Sequence, residues 1–198
     1  MSSIKLKHSG GNSVIIAAPS SNPASDRTIT VPSNADGTIL TTTNPKAGNI
    51  IQVLQTAKTD VFSTTSNGFH DIGLSVSITP SSVSNKILIH YDANVSGDDL
   101  TMVKLLRDST DIGIGDAGDS NMQRVTQGGQ YQSGNNDKVA VYSGSFLDSP
   151  SSTSSLTYKL QVYKYGGATM RVNTPVNNSN AIYTGRGIST ITAMEVAV

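Results

Sequence analysis

Apolar residues fall at every second position over several stretches of this chain, and that period restricts its fold more tightly than any other feature. Ile72, Leu74, Val76 and Ile78 alternate with Gly73, Ser75 and Ser77. From Lys86 to Val95 the residues Ile87, Ile89, Tyr91, Ala93 and Val95 share one face, with Leu88, His90, Asp92 and Asn94 on the other. Leu156, Tyr158, Leu160 and Val162 repeat the pattern. A two-residue period belongs to strands with one buried face, because successive side chains leave a pleated backbone on opposite sides. Ile50 to Ala57, Lys138 to Leu147, Ala168 to Asn173 and Ser189 to Val198 supply further strands, and Thr101 to Arg107 with Asp111 to Gly115 has hairpin spacing around Asp108-Ser109-Thr110. Gly166-Gly167 is short enough to make Tyr165 and Ala168 the start of antiparallel partners. The glycine-rich, polar segments 115–121 and 127–136 read as surface loops. About nine short strands at this spacing predict an all-β, antiparallel β-sandwich, in its jelly-roll form.

Composition agrees and removes whole classes of function. Ser, Thr and Asn make up 64 of 198 residues and Val and Ile another 32, a mixture suited to turns and strands. Fourteen basic residues balance fourteen acidic ones and only 14% of the chain is charged, so the basic footprint of a nucleic-acid binder is missing. With no cysteine there is no disulfide scaffold, thiol chemistry or Cys-ligated metal. No apolar run approaches the roughly 18 residues of a membrane span, and the first residues lack a secretory signal's apolar core, so membrane insertion is not expected and synthesis is expected in a cytoplasm.

Residues 1–48 have a different texture from 49–198. Val14 to Ala18, Arg27 to Val31 and Thr38 to Leu40 are short apolar runs broken by proline-rich segments, and none is followed by enough apolar sequence to bury both its faces. We read 1–48 as an extended N-terminal arm and 49–198 as the sandwich. An arm without a second layer, together with Leu88 on an otherwise polar strand face, predicts association with further copies of the chain. Threefold symmetry would let three arms wrap into one shaft.

Several motifs resemble catalytic or binding signatures. Gly113-Ile114-Gly115-Asp116-Ala117-Gly118 spells GxGxxG, but no helix follows to receive a pyrophosphate and its aspartates would repel one. Asp116, Asp119 and Asn121 could offer oxygens to a hard cation, yet one unrepeated loop without a downstream bidentate glutamate reads as hydrated surface carboxylates, and no metal or cofactor is expected. His8, His70 and His90 lie in a chain with 28 serines, so the His90/Asp92 and His70/Asp71 pairs do not by themselves define a triad, and no G-x-S-x-G elbow or H-E-x-x-H helix occurs. Glu195 is the only glutamate and nothing selects a second carboxylate to face it as glycoside hydrolysis requires. Tyr131, Tyr142, Tyr163, Tyr165 and Tyr183 could stack on sugars in a chain that has no Trp.

The chain resembles the tail-fibre and related virion fibre proteins of tailed bacteriophages of the marine and cyanophage type. The likeness lies in Ile4-Lys5-Leu6-Lys7-His8-Ser9-Gly10 leading into Val14-Ile15-Ile16-Ala17-Ala18-Pro19, in Ile29-Thr30-Val31-Pro32, Gly37-Thr38-Ile39-Leu40 and Leu105-Leu106-Arg107-Asp108-Ser109-Thr110, and in the closing Ser189-Thr190-Ile191-Thr192-Ala193-Met194-Glu195-Val196. It implies a non-enzymatic homotrimer located on a virion, joined to other virion structural proteins through residues 1–48 and presenting a knob to host-surface polysaccharide. Loop character then draws a recognition surface from Tyr131, Asp116, Asp119, Asn121, Gln130 and Asn135, with Tyr131 the most ligand-like side chain. A capsid or tail decoration protein without receptor binding is the alternative. A polysaccharide depolymerase using Asp92, Asp116 or Glu195 is another.

Overall fold

A computed structural model of the chain describes residues 3–7, 9–17, 20–21, 45–132, 134 and 136–198. The chain divides into two compact units, Met1–Ile39 and Leu40–Val198. In the first, β1 (Ser3–Lys7) and β2 (Ser13–Ala17) form an antiparallel hairpin with Ile4 opposite Ile16 and Leu6 opposite Val14. The expected runs at 27–31 and 38–40, and His8, lie outside the described residues.

The second unit contains β3 (Ile50–Lys58), β4 (Phe62–Thr64), β5 (Gly68–Ile78), β6 (Lys86–Gly97), β7 (Leu100–Arg107), β8 (Thr110–Ile112), β9 (Gln127–Tyr131), β10 (Ala140–Asp148), β11 (Leu156–Tyr165), β12 (Met170–Val172) and β13 (Ser189–Val196). Eight of these pair as one long hairpin would: β3 with β13, β5 with β11, β6 with β10, and β7 with β9 innermost, all antiparallel. Rolling that hairpin adds the pairs β13–β6 and β11–β7 and yields two sheets, β3-β13-β6-β10 and β5-β11-β7-β9. This nested order is the jelly roll that the strand spacing predicts. The short strands β12 and β4 extend the first sheet beside β6, and β8 pairs with β7 in the second.

The core lies between the sheets. Ile72, Leu74, Ile78, Ile87, Ile89, Tyr91, Leu105, Tyr158, Leu160 and Ile191 are essentially inaccessible, and each came from the alternating side of its strand. Polar groups join the layers where the strands end. Tyr142 of β10 donates to the Thr101 carbonyl of β7 at 2.5 Å. Arg107 of β7 grips both oxygens of Asp148 on β10 at 2.9 and 2.7 Å, and Tyr158 donates to the same carboxylate at 2.7 Å.

Two expectations are corrected. Tyr165 and Ala168 do not begin a hairpin: β11 stays in the second sheet while β12 pairs with β6 and β4 in the first. The reason is Lys164, which is buried and donates to the carbonyls of Gly166 (2.6 Å) and Gly167 (3.1 Å) and to Asn67 (3.1 Å). That folds the glycine pair, both at positive φ, into a crossing against Asp98 and Asp99. Segment 127–136 is not all loop, because Gln127–Tyr131 is β9.

Candidate functional site

An antiparallel roll sends alternate connections to opposite ends. Segments 59–67, 98–99, 136–139 and 166–188 emerge at one end, and 79–85, 108–126 and 149–155 at the other. Asp116, Asp119 and Asn121 belong to the second group and are exposed. Their loop is closed by Gly115 N donating to Val125 O and by the Arg124 guanidinium on the Gly115 carbonyl. Tyr131 and Gln130 end β9 in the first group, so the structure does not bring the expected recognition residues together. Asn135 lies outside the described residues. Among the described residues no three His, Asp or Glu side chains converge as a metal site would require.

The acid–base candidates are also separate. Glu195 is fully buried, accepting from Ser81 N and Oγ at 2.7 Å, Asn85 Nδ2 at 2.6 Å and Gln52 Nε2 at 2.6 Å. Burial pushes its pKa up, but the donors from Asn85, Ser81 and Gln52 outweigh that and hold it below the usual value. A carboxylate held by four donors and closed off from solvent fastens segment 81–85 to β13 and is not presented to a substrate. His90 and Asp92 form an outward-facing pair at 3.2 Å on β6. His70 meets the Ser66 carbonyl, and Asp71 meets Lys159 and Gln161.

Two outward faces stand out once register is followed across strands, since directly opposed residues share a face. On the first sheet Val53, Met194, Leu88 and Leu147 are opposite one another across β3, β13, β6 and β10. This apolar row crosses the whole sheet. Val53 is 54% exposed and Leu147 46%, and the next row adds Ile50 and Val196. On the second sheet Tyr131 of β9 and Tyr165 of β11 both stand opposite Leu100 of β7, roughly 10 Å apart across two strand spacings. Tyr163 follows two residues before Tyr165 and packs on Phe69, ring centroids 4.8 Å apart. Of the five tyrosines considered for sugar contact, Tyr142 is excluded by complete burial, whereas Tyr131, Tyr165 and Tyr183 are exposed at the same end of the roll. Sequence periodicity gave no sign of the Tyr131–Leu100–Tyr165 row, because its members meet through register alone.

The largest connection, 166–188, is anchored at its base. Asn173, fully buried at positive φ, donates to the carbonyls of Lys58 (2.8 Å) and Asp60 (3.0 Å) and accepts from Ser189 Oγ at 2.6 Å. Asn177 ties it to the neighbouring connection through the Asn136 carbonyl (3.0 Å) and the Asp137 carboxylate (2.6 Å). Within the loop lies a polar cleft of about 240 Å³ between Thr174 and Arg186. Sequence analysis singled out only Tyr183 between 174 and 188.

No family model and no curated protein matches the chain. Among solved structures it overlays infectious bursal virus derived T=1 particles (13% identity, 87% of this chain and 41% of that one, TM-score 0.40). It also overlays the infectious bursal disease virus Gx strain (13%, 87% and 42%, TM-score 0.37) and Gt strain (12%, 95% and 48%, TM-score 0.39). The chain thus spans less than half the length of each of these.

Proposed function

We propose that this protein is a non-enzymatic structural subunit of a virion, a capsid or tail decoration component that works by packing against copies of itself. The observation that carries the reading is the Val53–Met194–Leu88–Leu147 row. An isolated sandwich has no use for an apolar stripe across one outward face, whereas a subunit buries it on assembly. The exposed apolar side chains of the β1–β2 hairpin, Ile4, Leu6 and Ile16, support the same conclusion, since a two-stranded hairpin is marginal in water by itself. The virion setting rests on the sequence resemblance to phage fibre proteins, which also implies three copies.

Sedimentation velocity at micromolar concentration tests this. The expected particle has three times the chain mass, and Val53→Asp with Leu147→Asp, two half-exposed positions, reduces it to one while the far-ultraviolet circular dichroism is unchanged. A wild-type monomer at micromolar concentration would refute the assembly role. A second reading, recognition of host-surface polysaccharide, is favoured by the exposed Tyr131 and Tyr165 flanking Leu100. If it holds, Tyr131→Ala with Tyr165→Ala abolishes competition by the purified protein for particle adsorption, and undiminished competition leaves decoration alone.

A further inference from the structure

The geometry points to the cleft of connection 166–188 as a binding site for an anionic saccharide unit, a sugar ring bearing a carboxylate. Its walls are amides and hydroxyls, supplied by Thr174, Asn178, Ser179, Asn180 and Thr184, and among the described residues Arg186 is the one charged side chain lining it. Ligands with many hydroxyls need groups that both donate and accept, which is what amide and hydroxyl side chains provide. Some of this capacity is already committed to the loop. Thr184 Oγ1 donates to the carbonyls of Ser179 (2.6 Å) and Ala181 (2.9 Å), and Thr174 Oγ1 donates to Asn178 Oδ1 (3.1 Å). Those bonds fix the wall. The rest is unspent: among the described residues Asn178 Nδ2, Ser179 Oγ and the Asn180 amide have no protein partner.

Arg186 decides the charge of the ligand. Its guanidinium is exposed and makes no ion pair or hydrogen bond among the described residues, while Arg107, Arg124 and Arg171 each hold a carboxylate or a carbonyl. A planar fork of donors without a partner fits a carboxylate bidentately. The cleft volume of about 240 Å³ suits one ring rather than an extended chain. Preorganisation comes from below, through the buried Asn173, the Ser96 hydroxyl on the Thr174 carbonyl (2.7 Å) and Gly187 N on the Asn173 carbonyl (2.9 Å). A loop tied at both feet loses little entropy on binding. The site does not depend on the assembly role proposed above, since every residue in it comes from one connection of one chain.

The test is a nuclear magnetic resonance titration of the full chain with galacturonic acid, galactose and inorganic phosphate as separate probes. Galacturonic acid is expected to shift backbone amides within 174–186 saturably, in the millimolar range of a single-ring ligand. Galactose is expected to bind at least about tenfold more weakly, because the arginine contact is lost, and Arg186→Gln should weaken galacturonic acid by about the same factor. Arg186 is at the surface, so that variant is expected to fold, and an unchanged spectrum outside the loop verifies it. Equal binding of galactose and galacturonic acid, equal binding of phosphate and galacturonic acid, or shifts confined to residues outside 174–186 would each overturn the proposal.

Discussion

Glu195 shows how one residue can read as chemistry in sequence and as architecture in structure. It is the only glutamate, which draws attention to it as an acid or base, yet its four donors from Gln52, Ser81 and Asn85 leave it structural. Its folded pKa lies below the ordinary 4.5. A group depressed on folding contributes stability that is complete above the unfolded pKa and is lost as pH falls through the folded one. Acid titration of the urea midpoint should therefore show a limb below about pH 4.5 that Glu195→Gln flattens. Glu195→Ala, which leaves buried donors unpaired, should cost about 2–4 kcal/mol at pH 7. An acid limb identical in wild type and Glu195→Gln would remove the residue from this role. The buried phenols act at the other extreme. Burial raises the pKa of Tyr91 and Tyr142, and burial together with the Asp148 carboxylate raises that of Tyr158. A raised folded pKa contributes stability that is present below the unfolded value near 10 and is lost as pH rises through the folded one. Absorbance at 295 nm should accordingly show a tyrosine fraction that ionises only when near-ultraviolet dichroism collapses, and ionisation of all seven tyrosines in the folded protein would contradict it.

Strand β9 is where element-level reasoning meets its limit. Gln127-Gly128-Gly129-Gln130-Tyr131 has the composition of a loop, since glycine weakens strands and offers no side chain to pack. It becomes a strand because Leu100 of β7 needs the space: a Cβ on Gly129 would collide with Leu100 Cδ1. Gly129→Val is expected to displace Leu100, cost about 1–3 kcal/mol and speed hydrogen exchange at Gln127 to Tyr131, whereas unchanged exchange would show that the close approach is not what seats β9. The strands with a clean two-residue period, β5, β6 and β11, were legible because one face is buried and the other is not, and burial of alternate residues is written directly in the sequence. The fate of Gly166-Gly167 was not legible. A short glycine turn serves a hairpin or a crossing equally well, and Lys164 decides between them through contacts with Asn67, 97 residues away. The 174–186 cleft was hidden for a related reason, because its polar residues are ordinary loop composition until Asn173 and Ser189 fix the loop's feet.

At the scale of the whole molecule, nesting makes the first and last strands of the sandwich neighbours. Gly48 N donates to the Ala197 carbonyl at 2.8 Å and Ala197 N to the Asn49 carbonyl at 2.9 Å, so the chain entering β3 and the chain leaving β13 are already bonded together. Each pair in the roll encloses all the pairs inside it, and β3–β13 closes a loop of more than a hundred residues before any contact compensates it. Such topology belongs with slow folders, in the range of milliseconds to seconds. Because these ends touch, joining 197 to 49 without residues 1–48 and opening the chain between Ser151 and Ser152 should preserve every strand pair from β3 to β13. The opened segment is a suitable place, since residues 151–155 lie between strands and are mostly exposed. In the permutant β3 and β13 become a local hairpin, while β10 and β11 become the sequence-distant ends. The expected result is a native circular dichroism spectrum with faster pairing of β3 and β13 in pulse-labelled hydrogen exchange. If β3 and β13 gain protection no earlier in the permutant than in the parent, loop closure between them does not limit folding, and the slow step belongs to the inter-sheet packing of Tyr91, Tyr142 and Tyr158.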